Sequence, residues 1–115
     1  MPAHGLPADR KLRRRSEFQR VFDSGLRTHG RLFTVVAAPS AAESTRLGIV
    51  ASKKLGGAVV RNRAKRLIRE TFRTATYSNR PLDLVVIPKG ALLSADPEGL
   101  RREYHTVLRR CLSNL

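Results

Sequence analysis

Apolar residues recur along the chain at two spacings, and the switches between them mark out its elements. In SEFQRVFDSG, Phe18, Val21 and Phe22 share one helical face; Ser16 stands as the N-cap, Gln19 three residues on completes a capping box, and Gly25 is the stop. From Arg31 the run RLFTVVAAP is β-branched and apolar as far as Pro39. After the polar loop SAAEST, RLGIVASKK reads as a second strand, and a loop of that length predicts an antiparallel hairpin. Gly56 and Gly57 then break the pattern. Beyond them Val60, Ala64, Leu67, Ile68, Thr71 and Phe72 follow helical spacing and form one core-facing stripe. A turn at Ser78 to Pro81 leads into LDLVVIP, a nearly continuous apolar run that suits a strand buried on both faces. Asp96 and Pro97 open a last helix whose Leu100, Tyr104, Val107, Leu108, Cys111 and Leu112 again share a face. The order is helix, strand, strand, helix, strand, helix. It predicts an α+β fold, a two-layer α-β sandwich with helices packed on a small sheet.

The chain has 115 residues, the size of one domain. Two Tyr, four Phe and no Trp leave the core to Val, Leu, Ile and Ala. The segment Met1–Arg15 carries two prolines and the cluster Arg10, Lys11, Arg13, Arg14 and Arg15, and is expected to form a basic arm, mobile when unbound, ahead of a single domain over 16–115.

Charge changes the picture more than any element does. Twenty-three Lys and Arg against nine Asp and Glu give +14, a chain that repels itself unless it meets a polyanion. No apolar run approaches the ~20 residues that cross a bilayer, and the basic N-terminus leads into an amphipathic segment, not a signal peptide. The expectation is a cytoplasmic protein with no membrane partner. Cys111 is the only cysteine, which excludes an internal disulfide and agrees with a reducing compartment. His4, His29 and His105 are scattered, so no protein-built metal site is expected.

The positive charge is densest in KKLGGAVVRNRAKRLIRETFR, where eight basic residues face a single carboxylate, Glu70. Arg63, Lys65, Arg66, Arg69 and Arg73 fall mostly opposite the apolar stripe, with Arg61 at its border. No Ser, Thr, Asp or Asn stands immediately before the helix, and cations occupy the turns where anions are normally favoured. A phosphate could satisfy the free N–H groups of such an N-terminus; the plainer alternative is a solvated basic face with a glycine N-cap. The Asn62 amide can donate and accept, enough for a base edge or a ribose hydroxyl, or it is simply an exposed polar residue.

The joined pattern KKLGGAVVRNRAKRLIRE resembles the signature of the bacterial ribonuclease P protein subunit. SEFQRVF, LGIVASKK and DLVVIPK fall in that family's order and spacing, so the likeness covers most of the chain. It implies an α-β sandwich with a left-handed β-α-β crossover, an exception to the usual handedness. It further implies that Lys53, Lys54, Arg61, Asn62, Arg63, Lys65, Arg66 and Arg69 contact a catalytic ribonuclease P RNA in a 1:1 ribonucleoprotein. Phe18, Phe22 and Phe33, with Arg61 and Asn62, would bind the single-stranded leader of precursor tRNA. Aromatic stacking tolerates any base, although phenylalanines at these positions can equally serve a core. Val36, Val50 and Gly57 depart from the family pattern.

No acidic pair, two-histidine arrangement or Walker pattern marks this chain as the catalyst. The resemblance assigns hydrolysis to the RNA subunit, with magnesium bound chiefly by RNA and substrate. A ribosomal or other structural RNA-binding protein explains the charge equally well; only the full motif separates the two.

Overall fold

The computed structural model describes residues 6–75 and 80–114. Three helices, α1 (Arg15–Ser24), α2 (Ala58–Thr74) and α3 (Pro97–Ser113), surround a four-stranded sheet of β1 (Leu26–His29), β2 (Phe33–Pro39), β3 (Arg46–Ile49) and β4 (Leu82–Pro88). The sheet order is β1-β2-β4-β3. His4 and the Ser78 end of the turn read from the sequence lie outside the described residues.

The expected hairpin between the second and third strands does not form. Instead β4 enters between them, antiparallel to β2 (Val35 opposite Val86) and parallel to β3 (Gly48 opposite Val85). The reason is burial: Leu82 to Val86 is closed off on both faces, so β4 belongs at the sheet's centre. The Ser40–Thr45 loop need only pass over one strand, about 10 Å at the usual strand spacing. Thr45 Oγ1 then accepts the Leu82 N–H at 3.1 Å and ties the two strand starts together. Parallel β3 and β4 are joined through α2, a β-α-β crossover.

One strand was not expected. β1 pairs antiparallel with β2, from Leu26 opposite Ala37 to His29 opposite Thr34. Its LRTH sequence is short and mostly exposed, with no apolar face to betray it.

Period two divides the sheet's side chains between two cores. Phe33, Val35, Ala37, Leu84 and Val86 pack under α2 and α3, the layered arrangement expected from the sequence. Val36, Ala38 and Val85 point the other way and are covered by Val21, with Phe18 and Phe22, from α1. Helices thus flank both faces.

The start of α1 also differs in detail. Arg14, not Ser16, is its N-cap, and Glu17, not Gln19, reaches back: Glu17 Oε1 accepts the backbone N–H groups of Arg13 and Arg14, each at 2.9 Å. A carboxylate satisfies two helix-end donors better than an amide can. Leu6 and Leu12 are buried, and Leu12 donates its N–H to the Leu47 carbonyl at 2.9 Å along the outer edge of β3.

Candidate nucleic-acid interface

α2 begins where the sequence places it, after a short 3-10 turn at Lys53–Leu55. Gly56 has φ 148°, a conformation closed to ordinary side chains, and lets the chain reverse into the helix. Gly57 is the N-cap, and no side chain caps the first turn. The inner face buries Ala64, Ile68, Thr71 and Phe72, while Asp96 caps α3 as expected by accepting the Gly99 N–H at 3.1 Å.

Asp83, Glu17, Glu70 and Glu103 are engaged away from the first turns of α2. Asp83, fully buried on β4, accepts two bonds from Arg46 at 2.8 Å and another from Arg20 of α1. Arg46 also reaches Glu17 Oε2 at 2.9 Å. This cluster clamps α1 to β3 and β4. The two backbone bonds to Glu17, Arg14 first and then Arg13, together with Arg46, hold its carboxyl below the ordinary range, while the Asp83 bonds push Arg46 higher still. Glu70 holds Arg73 at 3.0 Å, and Glu103 accepts the Leu32 N–H at 2.6 Å.

None of the cations read as RNA contacts draws on those groups. Lys53, Lys54, Arg61, Arg63, Lys65, Arg66 and Arg69 make no ion pair with any described residue. Arg61 Nε is shielded from solvent and has no hydrogen-bond partner among the described residues. Lys53, Lys54, Asn62, Arg63 and Arg66 are exposed, whereas Lys65 and Arg69 are half-buried.

Those two half-buried cations turn toward β3. With Lys11, Leu12, Phe18, Leu47, Gly48 and Ile49 they line an open groove of about 180 Å³ between α1, α2 and the edge of the sheet. One aromatic side chain and three cations therefore share a concave surface. Phe22, one turn along α1, is half-exposed and carries the Arg27 guanidinium 5.7 Å from its ring centre.

Phe33 does not join them. It has no solvent exposure and packs 5.9 Å from the Tyr104 ring under α3, because position 33 shares the face of Val35 and Ala37 rather than that of Val36. Its ring is not available for stacking on a base. Of the positions departing from the family pattern, Val36 is buried beneath α1 and Val50 is half-buried against the same cluster.

Gly48 and the Asp83 cluster were not singled out in the sequence, and Lys11 only as one residue of the basic arm. Gly48 carried a signal: a glycine inside a strand often marks close approach by another group, here the Phe18 ring.

The family model described as Ribonuclease P matches residues 6–112. The chain belongs to this family. Its curated relatives include ribonuclease P protein components from Chromohalobacter salexigens, 35% identical over 96% of this chain and 88% of that protein, and from Caldanaerobacter subterraneus, 34% identical over 87% of each. The Dehalococcoides mccartyi component is 46% identical over 69% of this chain and 65% of its own length. Among solved structures, the ribonuclease P protein of Thermotoga maritima superposes with a TM-score of 0.77, at 32% identity over 87% of this chain and 96% of that one. That of Staphylococcus aureus gives 0.76, at 31% identity over 87% and 93%.

Among the described residues no three His, Cys, Asp or Glu side chains gather as a metal site. No described helix is long and apolar enough to cross a membrane.

Proposed function

We propose that this ribonuclease P family chain acts in the cytoplasm as the protein subunit of a 1:1 ribonucleoprotein that removes the 5' leader of precursor tRNA. The carrying observation is the meeting of Phe18, Lys65 and Arg69 in one groove, beside a helix whose Arg61, Arg63 and Arg66 make no ion pair with any described residue. Lys53, Lys54, Arg63 and Arg66, with the uncapped start of α2, seat on phosphates of the catalytic RNA. Arginine's planar fork gives those contacts direction as well as attraction.

The groove takes the single-stranded leader. Phe18 offers a stacking surface, Lys11, Lys65 and Arg69 hold the backbone, and Phe22 extends the aromatic edge along α1. Arg61 and Asn62, at the α2 end, reach the same strand. Phe33 has no part in this, being core.

Magnesium belongs with the RNA and its substrate. The best-placed protein carboxylates, Asp83 and Glu17, are already saturated by arginines and backbone N–H groups, so they do not fit a magnesium site. The protein lowers phosphate repulsion and holds the leader; the RNA supplies the chemistry.

The test is precursor cleavage by a bacterial ribonuclease P RNA at limiting magnesium, with and without this chain. Stimulation by the protein, and no cleavage by the protein alone, is expected. Tight RNA binding without stimulation would return the chain to the structural RNA-binding class.

A further inference from the structure

α3 buries Leu100, Tyr104, Val107, Leu108 and Cys111 in the core and leaves Leu112, at the edge of that face, exposed. At 100° per residue, Arg101, His105 and Arg109 succeed one another at four-residue intervals on one flank, and Arg102 falls beside them. All four are exposed. At 1.5 Å per residue the row from Arg101 to Arg109 runs for about 12 Å.

Nothing inside the fold accounts for this row. Glu98 is the one carboxylate on that flank, and Glu103, on the other, is taken by Leu32. Arg101, Arg102 and Arg109 make no ion pair with any described residue. Every fixed cation of α3 is an arginine, the side chain suited to bidentate phosphate contact.

We propose that this flank of α3 binds RNA backbone as a second phosphate-contacting surface, additional to α2. The inference rests on the reading of the partner as RNA. Placement supports it: α2 and α3 lie side by side on one face of the sheet, and Arg101 lines a groove with Leu67, Glu70, Thr71 and Thr74 of α2, where the Glu70 carboxylate is held by Arg73. One structured RNA can lie across both ridges. A lipid surface fits less well, because α3 has no free apolar face to insert and exposes only Leu112 beside the row.

The experiment compares the full chain with the triple variant Arg101→Gln, Arg102→Gln, Arg109→Gln, and with the corresponding triple Arg→Lys variant. Each is titrated with an in-vitro-transcribed ribonuclease P RNA across a range of salt concentrations. The Gln variant should lose roughly two to three from the slope of log affinity against log salt, at 0.7–0.9 per phosphate neutralised, while the Lys variant keeps most of it. Should the triple Gln variant fail to fold, Arg109→Gln alone should lose about a third as much. An unaltered slope in a Gln variant, with the parent binding RNA normally, overturns the α3 surface and leaves α2 untouched. So does an unaltered slope joined to weakened binding of phosphatidylglycerol–phosphatidylcholine vesicles, which would assign the flank to lipid. If the parent chain itself ignores the RNA, the function proposed above fails first.

Discussion

The ring of Phe18 rests against the backbone of Gly48: a Cβ built at position 48 would lie 2.5 Å from Phe18 Cε1 and 2.6 Å from Cζ. Strand β3 and helix α1 can approach this closely only because that side chain is absent, and the contact sets the ring at the wall of the groove.

Replacing Gly48 by Ala forces the ring aside. Overpacking of this kind costs about 1–3 kcal/mol, and urea denaturation should register it. Precursor tRNA should be bound more weakly, with mature tRNA little affected, since only the former carries a leader. Equal losses for both would detach the groove from leader recognition.

Phe18→Ala removes the stacking surface itself. Affinity for a precursor should drop by about 1–3 kcal/mol relative to mature tRNA, whatever the leader sequence, because every base has a face to stack. A loss confined to stability would make Phe18 a core residue only.

Arg61→Ala with Arg63→Ala should weaken RNA binding and flatten its dependence on salt by roughly 0.7–0.9 for each phosphate left without its cation. An unchanged slope would take both arginines out of the interface.

Asp83→Asn leaves Arg20 and Arg46 without their shared carboxylate. Breaking a buried pair costs about 3–5 kcal/mol, and the low end applies because Arg20 is still 44% exposed and can recover water. The loss should appear as a lower urea midpoint, and α1 should loosen first in amide exchange. Near-identical midpoints would mean that the cluster contributes specificity without net stability.

Glu17 makes folding sensitive to acid. Its carboxyl is held down in the fold, so its contribution is fully present above the ordinary value of about 4.5 and is lost as pH falls through the lower, folded value. The stability gap between the parent chain and Glu17→Gln should be constant near neutrality and close below that point. A gap independent of pH would show that the backbone bonds survive protonation.

Much of this was legible in linear form, and each failure has a physical cause. The α2 and α3 stripes were clear because helical period is a local property, and Asp96 caps α3 because a cap needs only its own turn. The Ser16–Gln19 box fitted the pattern rules, but Glu17 offered a charge to the same donors and displaced it. β1 was invisible, since a short exposed strand exists only by pairing with β2. Phe33 looked like Phe18 and Phe22 because residue type does not say which face of a sheet a position occupies.

Order of the elements other than β1, total charge and the cationic face of α2 were determined by the sequence alone, since spacing and composition dictate them without reference to distant residues. Tertiary structure alone decided that β4 parts β2 from β3, that Asp83 gathers Arg20 and Arg46, and that Phe18 meets Lys65 and Arg69. Those outcomes depend on long-range pairing and burial, in which residues tens of positions apart compete for one interior.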